Sequence, residues 1–194
     1  VFVERRSVAV PDQVIAIPAA VIEPEFITDA DGRSGKNQPV VTIVEFCDFE
    51  SKECKSLNLL LNRVMEEYGK DCLGYEIKNL GAGGRCTKHL RRIHKDFPLD
   101  IHLRSMISAE AARCSAQVTD YWKFQDQLYQ MQPDFTPNTF ARIFTSLEGQ
   151  DFSSSYQNDL MRCITQDRFK PDIERDKQQA QALGVKTVPT LFVN

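Results

Sequence analysis

VEFCDFESKEC, residues 44–54, decides the fold of this chain. The overlapping segment VVTIVEF (40–46) is β-branched and almost continuously apolar, which is typical of a strand buried on both faces. From Ser51 onward the apolar residues recur at helical spacing, so a helix is predicted to begin there. A second apolar run, CLGYEIKNL (72–80), predicts the next strand, and together these elements form a β-α-β unit with parallel strands. The apolar face of the helix comprises Leu57, Leu60, Leu61, Val64, Met65 and Tyr68, and Gly69 is placed to end it.

The composition is that of an ordinary globular protein. The chain has 194 residues, 42% of them hydrophobic and 26% charged, which suits one domain or one domain with an insertion. The formal net charge of −3 provides no basic field that would attract nucleic acid. No apolar run is long enough to cross a bilayer, and the chain starts at Val1 without a signal peptide, which is compatible with a signal removed by processing.

Residues 1–36 differ from the rest of the chain. VAVPDQVIAIPAAVIEPEF alternates apolar residues with prolines and predicts an extended arm rather than a helix. ITDADGRSGKNQP, which follows, is a polar loop rich in turn-forming residues. An apolar arm has to cover other apolar surface, either on its own domain or on a partner.

The second half of the chain is predicted to be mostly helical. It follows a glycine-rich loop, GAGGRCTK (81–88), which lacks the known phosphate-binding patterns, and no cofactor is expected. HLRRIH (89–94) is interpreted as a solvated basic helix face or loop. Pro189 is expected at the first residue of a final strand, TLFV, because proline inside a central strand would remove a hydrogen bond. Helices are predicted at 108–117, 119–131, 136–147, 153–166 and 170–184.

Three segments together resemble one family. VTIVEFCDFESKECK (41–55) resembles the strand-to-helix junction of DsbA-like thioredoxin-fold oxidoreductases, which commonly reads VEFSDFxCPYCK. KDFPLDIH followed by SAEAARCSAQVTDYWKFQDQLY resembles the entry to their helical insertion, and LGVKTVPTLFVN resembles their GVxGTPTFFVNG strand. The resemblance covers residues 37–194 and implies an α/β thioredoxin-like fold with an all-helical insertion at about 90–168. Family members continue into a further strand and helix, so we expect either a longer protein or a partner that covers the sheet.

The resemblance also assigns roles to individual residues. Glu45 takes the place of a buried acid that assists proton transfer, with a pKa raised by its low-dielectric surroundings. The alternative is an edge-facing or hydrogen-bonded glutamate without such a role. Val188–Pro189 takes the place of a cis peptide next to Thr187, whose exposed backbone would pair with an extended client peptide.

The active-site motif itself is incomplete. In a CxxC motif the first cysteine is the exposed nucleophile at the helix N-terminus, and the second resolves the mixed disulfide. Here Ser51 stands at the first position and only Cys54 remains. Ser51 is a good helix N-cap, and Glu53 adds a negative charge that raises the pKa of a neighbouring thiol. Both changes indicate a fold that has lost its redox chemistry.

Cys47 is placed to compensate for the missing cysteine. It either forms a disulfide with Cys54 across the strand-to-helix turn, or both remain separate semi-buried thiols. The six cysteines favour an oxidising compartment outside the cytoplasm, such as the periplasm, although buried free thiols would give the same count. Possible structural disulfides are Cys72 with Cys86 and Cys114 with Cys163.

Two further clusters are interpreted as structural. Cys86, His89 and His94 give the spacing C-x2-H-x4-H, with Cys72 or His102 as a fourth candidate ligand. This spacing matches no common zinc template, so no metal is expected. An aromatic series in the insertion is expected to form its core, and it consists of Tyr121, Trp122, Phe124 and Tyr129.

Two functional hypotheses follow. We expect a non-catalytic module that binds a protein partner or an extended peptide through Ser51, Cys54 and residues 187–189, as an accessory subunit of a larger membrane-associated assembly. The alternative is a thiol–disulfide oxidoreductase or isomerase that acts through Cys54, alone or paired with Cys47. The exposure of Cys54 distinguishes the two, because a buried second cysteine is inert and an exposed one can react.

Overall fold

The computed structural model describes residues 41–68, 84–86, 90–148 and 154–193. The predicted arm (1–36), the predicted strand (72–80) and Cys72 lie outside these ranges, as does the side chain of Cys86. The described residues form a four-stranded sheet and six helices: β1 (Val41–Cys47), α1 (Lys52–Tyr68), β2 (Gly84–Cys86), β3 (Leu90–Asp96), α2 (Ser105–Ser115), α3 (Tyr121–Gln130), α4 (Pro137–Glu148), α5 (Ser154–Thr165), α6 (Lys170–Ala182) and β4 (Thr190–Val193).

The strands lie in the order β2-β3-β1-β4, so β1 has a neighbour on each side. β1 pairs in parallel with β3, which places Glu45 opposite His94 and Cys47 opposite Asp96. β4 pairs antiparallel with β1, and β2 pairs antiparallel with β3. The central place of β1 agrees with its nearly continuous apolar sequence. β4 consists of TLFV, the segment expected to form the final strand. It begins at Thr190, one residue after Pro189.

The interpretation of HLRRIH (89–94) as a solvated helix face or loop is wrong. Leu90–Asp96 is strand β3, and Arg92, His94 and Asp96 are at most 1% exposed. Charged side chains are stable at such depth only when other elements supply counter-charges, which the local sequence does not reveal. β3 also occupies the start of the range expected for the helical insertion, and the helices that follow it begin at Ser105.

The two faces of the sheet differ in chemistry. Val44, Phe46 and Ile93 lie on one face and pack in an apolar cluster with residues of α6 and β4. Ile43 and Cys47 lie on the other face, in the larger core cluster that α1 and the helical half of the chain complete. Because side chains alternate along a strand, the second face also carries four buried charged residues of the two central strands. These are Glu45, Arg92, His94 and Asp96.

Helix α1 buries three residues of the face predicted for it, and Val64 on the same face is half-buried. Leu57, Leu61 and Met65 are at most 6% exposed and join the larger core cluster. Leu60 is 40% exposed, although it belongs to the predicted apolar face. The buried residues follow an i, i+4, i+8 spacing, which leaves Leu60 at the margin of the contact surface.

The helical half surrounds an aromatic core. Its helices fall where the sequence predicts them, except that α2 begins three residues earlier, at Ser105. Asp120 caps α3, since its carboxylate accepts hydrogen bonds from the backbone N–H groups of the two residues that follow Tyr121, at 2.9 and 3.1 Å. No helix in the described ranges combines the length and apolarity needed to span a bilayer. The expected aromatic core is confirmed, because Tyr121, Trp122, Phe124 and Tyr129 are all at most 6% exposed.

Candidate functional site

The candidate site is the turn that joins β1 to α1. Asp48 organises it: its Oδ1 accepts a hydrogen bond from the backbone N–H of Glu50 at 2.8 Å, and its carbonyl accepts one from the N–H of Ser51 at 3.1 Å. Ser51 then caps the helix, because its Oγ accepts from the backbone N–H of Cys54 at 3.1 Å and donates to Glu53 Oε2 at 3.1 Å. The serine that replaces the expected first cysteine therefore stabilises the helix N-terminus.

Cys47 and Cys54 are joined by a disulfide across this turn. Their Cα atoms are 5.7 Å apart, within the range that a disulfide spans. Of the two possibilities left by the sequence, the bridge is found and the pair of separate thiols is wrong. The prediction that Ser51 leaves the site without a cysteine pair is corrected in the same way, since the first cysteine lies at the end of β1 instead of at the helix cap.

Both sulfurs lie inside the protein. Cys47 is 1% exposed and Cys54 is fully buried. The backbone N–H of Asp48 donates to Cys54 Sγ at 3.3 Å, and Cys54 lies in the first turn of α1. An N–H donor and the positive end of a helix both stabilise a thiolate. Cys54 is therefore the sulfur of the pair that can best carry negative charge.

Two neighbouring loops hold the turn from outside. Gln132 donates through its side-chain amide to the carbonyls of Phe49 and Ser51, the latter at 3.0 Å. From the loop after β3, the backbone N–H of Leu99 donates to Asp48 Oδ2 at 2.7 Å, and His102 Nδ1 lies 2.9 Å from the same oxygen. The turn between β1 and α1 is therefore closed by hydrogen bonds that must break before a large molecule reaches either sulfur.

The segment before β4 lies at the same end of the sheet. The Val188–Pro189 peptide is cis. Thr190 pairs with Phe46 in the antiparallel register of β4 and β1, so Pro189 lies beside Cys47. Thr187 is exposed, and Val188 and Pro189 are half-buried. The register therefore brings the sequence-predicted peptide segment and the disulfide together.

Glu45 is buried below the disulfide on the same face of the sheet, at 1% exposure. Arg92 donates to its Oε1 from Nε at 3.0 Å and from Nη2 at 2.7 Å, and His94 Nδ1 lies 3.2 Å from the same oxygen. Burial alone raises the pKa of Glu45, but the charges of Arg92 and His94 outweigh burial and lower that pKa below its ordinary value. The expectation of a raised pKa at Glu45 is therefore wrong, because the sequence did not reveal the arginine.

Arg92 is itself held by its surroundings. Its Nη1 donates to Asn62 at 2.9 Å and its Nη2 also donates to Asn58 at 2.8 Å, both on α1. The guanidinium lies 4.6 Å from the ring centroid of Trp122 on α3. Four hydrogen bonds and an aromatic ring thus hold this buried cation in place, which fixes Glu45 as a carboxylate.

His94 lies between two carboxylates. Its Nδ1 faces Glu45, and its Nε2 is 3.4 Å from Asp96 Oδ1. Burial alone lowers the pKa of His94, but Asp96 and Glu45 outweigh it and raise that pKa to about 9. The imidazole is therefore positively charged at neutral pH. His94, which the sequence offers as a zinc ligand, uses both ring nitrogens toward carboxylates.

The charged network continues from β3 into α2 and α6. Arg113 Nε donates to Asp96 Oδ2 at 2.5 Å, and its Nη2 donates to Asp176 Oδ2 at 2.5 Å. Asp176 also accepts from Lys95 Nζ at 2.8 Å and from the backbone N–H of Asp96 at 3.2 Å. Burial raises the pKa of Asp96, but Arg113 and His94 outweigh it and lower that pKa. Asp96 is thus a carboxylate at neutral pH.

A second disulfide lies in the helical half. Cys114 on α2 and Cys163 on α5 are bonded, with Cα atoms 5.9 Å apart, as the sequence allowed. Glu110 lies one helical turn before Cys114, and its Oε1 is 3.7 Å from Cys114 Sγ. These three side chains are close enough to share a metal ion. The disulfide, however, occupies both sulfurs, so the oxidised protein has no thiolate ligand at this place.

Sequence analysis missed Arg92, Asp96 and Gln132 as parts of the site. None of them carries a clear local signal. In RRIHKD only Ile93 is apolar, so no alternation of apolar and polar residues marks a strand. The contacts of Gln132 lie on residues that precede it by more than 80 positions.

The chain matches known proteins over most of its length. A family model described as thioredoxin matches residues 28–194. Disulfide bond formation protein D of Bacillus subtilis is 21% identical over 167 residues, which cover 82% of this chain and 66% of that protein. The Na(+)/H(+) antiporter NhaA 3 of Salinispora tropica is 24% identical over 167 residues, which cover 86% of this chain. This chain spans only 22% of the length of that antiporter.

Solved structures share the fold. BdbD from Bacillus subtilis, in its oxidised form, has a TM-score of 0.60 and 20% identity, over 82% of this chain and 79% of that chain. The thiol-disulfide exchange protein alpha-DsbA2 from Wolbachia pipientis has a TM-score of 0.61 and 16% identity, over 83% of this chain and 74% of that chain. The mixed sheet, the helical half and the disulfide where β1 meets α1 thus stand beside a family match over most of the sequence, and this chain belongs to the thioredoxin family.

Proposed function

We propose that this domain carries out thiol–disulfide exchange with Cys47–Cys54 as its redox pair. The position of that disulfide carries the proposal, because it joins the carboxyl end of β1 to the first turn of α1. A sulfur at this place has the helix N-terminus and backbone N–H groups available to stabilise it as a thiolate. Cys54 keeps the resolving position of the family motif, and Cys47 replaces the missing cysteine at position 51.

The two sulfurs take different parts in the exchange. Cys54 Sγ already accepts a hydrogen bond from Asp48 N–H at 3.3 Å, which makes Cys54 the better leaving group. Cys47 stands in register with the carboxylate of Asp96, which disfavours a second negative charge beside it. A client thiolate therefore attacks Cys47 Sγ, the disulfide breaks, and Cys54 leaves as a thiolate. A second client thiol then displaces Cys47, which leaves the client oxidised and the pair reduced.

The client would bind beside residues 187–189. Pro189 lies next to Cys47 by the register of β4 and β1, and the segment is exposed or half-buried. An extended peptide that adds to this edge brings its own sulfur close to Cys47. Because Cys47 is 1% exposed, binding must be accompanied by opening of the turn at Asp48–Ser51.

The experiment is equilibration with glutathione redox buffers, followed by alkylation and peptide mass spectrometry. We expect Cys47–Cys54 to open in the range of exchange proteins, about −270 to −120 mV. Cys114–Cys163 is the internal control and should stay closed until below about −300 mV, as structural disulfides do. If Cys47–Cys54 also stays closed throughout the glutathione range, the proposal is overturned.

Trapping then tests the assigned roles. In Cys54→Ser the mixed disulfide on Cys47 has no resolving partner, so an adduct with a dithiol peptide should accumulate on Cys47. In Cys47→Ser the remaining Cys54 lies in α1, whereas the client segment at Pro189 is beside position 47, so little adduct should form. Adducts that form mainly on Cys54 would reverse the assignment.

A second function, non-catalytic binding of a partner or peptide, is favoured by one observation. Both cysteines are buried, and Ser51 is committed to capping α1. A cysteine-free extended peptide tests this function, because strand addition should slow hydrogen exchange of the backbone at residues 187–190. Unchanged exchange at saturating peptide would exclude this mode of binding.

We also propose that the domain works outside the cytoplasm, with a protein partner at a membrane. Two disulfides among the described cysteines support an oxidising compartment. The match to part of a Na(+)/H(+) antiporter supports a place next to a membrane protein. Labelling of intact cells with a membrane-impermeant thiol reagent after mild reduction tests this, since a cytoplasmic domain would remain unlabelled.

A further inference from the structure

We infer that the buried ion pair of His94 and Asp96 controls the proton of Cys47 when the disulfide is exchanged. The inference rests on the proposed function of Cys47–Cys54. It assigns to these two residues the proton transfer that the sequence suggested for Glu45. His94 would store the proton, and Asp96 would pass it to and from the sulfur.

The first observation is the register of the two central strands. Cys47 and Asp96 are directly paired, and Phe97 N–H donates to the carbonyl of Cys47 at 2.8 Å. Paired residues of neighbouring strands point to the same face of the sheet. Both residues are 1% exposed, so the carboxylate and the sulfur share one water-excluded layer. Asp96 is therefore the acidic residue that the fold places directly beside Cys47.

The second observation is a pair of polar atoms without hydrogen bonds. Among the described residues, neither His94 Nε2 nor Asp96 Oδ1 has a hydrogen-bond partner, although both are fully buried. They lie 3.4 Å apart and face each other as an ion pair. Buried polar groups are nearly always satisfied, so an unsatisfied pair indicates a place where a proton or a hydrogen bond can move. Oδ1 of Asp96, the oxygen of this pair, belongs to the carboxylate that lies beside Cys47.

The third observation is the set of contacts of Glu45, which argues against proton transfer to Cys47 by this residue. Arg92 donates twice to Glu45 Oε1, and the same oxygen faces His94 Nδ1. An arginine also binds Asp96, so the two carboxylates differ in position: Glu45 pairs with His94 across the strands, whereas Asp96 pairs with Cys47. Arg113 binds Asp96 Oδ2, and Oδ1 faces His94. The two oxygens of Asp96 thus have separate tasks, one fixed by an ion pair and one available.

The remaining titratable and charged groups around this layer set its background field. They come from every element packed against the ion pair. They are Glu45 and Asp48 at β1, Arg92 and Lys95 on β3, Glu110 and Arg113 on α2, Tyr121 and Tyr129 on α3, and Asp176 on α6.

The proton step can be written in full. When the second client thiolate attacks the client sulfur of the mixed disulfide, the bond to Cys47 breaks and Cys47 Sγ keeps the electron pair. Asp96 Oδ1 takes the proton of His94 Nε2, which becomes neutral, and passes this proton on to the sulfur. The client loses two electrons, and the protein pair gains them as one thiol and one thiolate. When an oxidant disulfide later reoxidises the pair, Cys47 returns its proton by the same path.

The test measures the pKa of Cys47 directly in the reduced protein. Alkylation by iodoacetamide over a pH series, followed by peptide mass spectrometry, gives the titration of Cys47 apart from the other cysteines. Asp96→Asn removes a negative charge next to the sulfur, so the pKa of Cys47 should fall, by about one unit or more. His94→Gln removes the neighbouring positive charge, so the same pKa should rise by about one unit or more.

A purely structural role of the two residues would not shift the pKa of Cys47 in opposite directions in the two variants. A variant that only loosens the packing moves a thiol toward its ordinary pKa, about 8.5, whichever residue is changed. Asp159→Asn is the matched control, since it removes a carboxylate that is 48% exposed on α5 and pairs with Arg162. It should leave the pKa of Cys47 unchanged.

The exchange rate supplies the second readout. Wild type and Asp96→Asn are each assayed at the pH that gives Cys47 the same thiolate fraction. Asp96→Asn should still exchange about tenfold more slowly, because its proton path is interrupted. Equal rates, or pKa shifts in the same direction for both variants, overturn the inference. Should Asp96→Asn fail to fold, His94→Gln decides alone: a raised pKa supports the inference and an unchanged pKa overturns it.

The two proposals fail in different ways. If Cys47 and Cys54 cannot be reduced by glutathione, the proposed function fails, and the pKa of Cys47 can still be measured after reduction by a phosphine. If the pair exchanges readily but the pKa of Cys47 is the same in both variants as in wild type, the proposed function is supported and the roles of His94 and Asp96 are overturned.

Discussion

Gln132 binds the turn between β1 and α1 through its side-chain amide, which donates to the carbonyl of Ser51 at 3.0 Å and also to that of Phe49. These contacts join the loop between α3 and α4 to the connection between β1 and α1. Both carbonyls belong to the turn enclosed by Cys47 and Cys54. Since the sulfurs are buried, the strength of this contact sets how often the turn opens.

Replacing Gln132 with alanine should make the disulfide more accessible. Each lost hydrogen bond contributes on the order of 1 kcal/mol, so the open population should increase by about 5- to 30-fold. The rate at which a small dithiol reduces Cys47–Cys54 should rise by the same factor, as measured by alkylation and mass spectrometry. Gln130→Ala, at an exposed position of α3, is the control and should leave the rate unchanged. A Gln132→Ala rate equal to that of wild type would contradict this.

Removing the cap of α1 should destabilise the protein. Ser51 Oγ accepts a hydrogen bond from Cys54 N–H, and Ser51→Ala should cost about 1 kcal/mol of unfolding free energy. Ser56→Ala is the matched control, since Ser56 lies on the exposed side of α1 and only donates to the carbonyl of Lys52. Its stability should stay within about 0.5 kcal/mol of wild type. Urea unfolding of both variants measures the difference, and equal costs would refute a capping role.

The protein should lose stability as the pH rises from 6.5 to about 9. His94 has a pKa of about 9 in the folded protein and an ordinary value of 6.5 when unfolded, so the folded state holds the proton more tightly. The stabilisation is complete below pH 6.5 and disappears as the pH passes about 9, with a total of roughly 3 kcal/mol. Urea unfolding across this interval, with disulfides intact, measures it. His94→Gln should lack the decline, and an equal decline in that variant would assign it to another group.

The two disulfides should stabilise the fold to different extents. Cys114–Cys163 closes a segment with a sequence separation of 49, whereas Cys47–Cys54 closes one of 7. Chain entropy then predicts contributions of about 4 and about 2 kcal/mol respectively. Unfolding free energies of the double alanine variants Cys114→Ala/Cys163→Ala and Cys47→Ala/Cys54→Ala test the order. The reverse order would indicate that the short disulfide restrains more than its own turn.

Much of the fold could be predicted from periodicity. The strand at 40–46, the helix after Ser51 and the helices of the second half bury apolar stripes that their own sequence displays. β3 could not be recognised from composition, because Arg92, His94 and Asp96 resemble a solvated surface. Their burial depends on partners far along the chain, such as Asp176, and a local pattern contains no information about them.

The sequence indicated residues that the structure brings together, and their roles stay predictions. Glu45, Ser51, Cys54 and residues 187–189, which the resemblance implied, are at or beside the turn, as is Cys47, which was expected to compensate for the missing cysteine. The sequence left open whether Cys47 pairs with Cys54, because the distance between their Cα atoms depends on the path of the turn between them. The lowered pKa of Glu45 follows from Arg92, whose side chain reaches β1 only because β1 and β3 are neighbours.

The disulfide between Cys47 and Cys54 has a sequence separation of 7, so it encircles the entire connection between the first strand and the first helix. In a CxxC motif the ring lies within one helical turn, and reduction changes little besides the sulfurs. Here the backbone of Asp48–Ser51 is part of the ring, and cleavage leaves it held by hydrogen bonds alone. A protein that recognises this connection could distinguish the oxidised domain from the reduced one by shape. The same bond would then both exchange with client thiols and report the redox state of the domain.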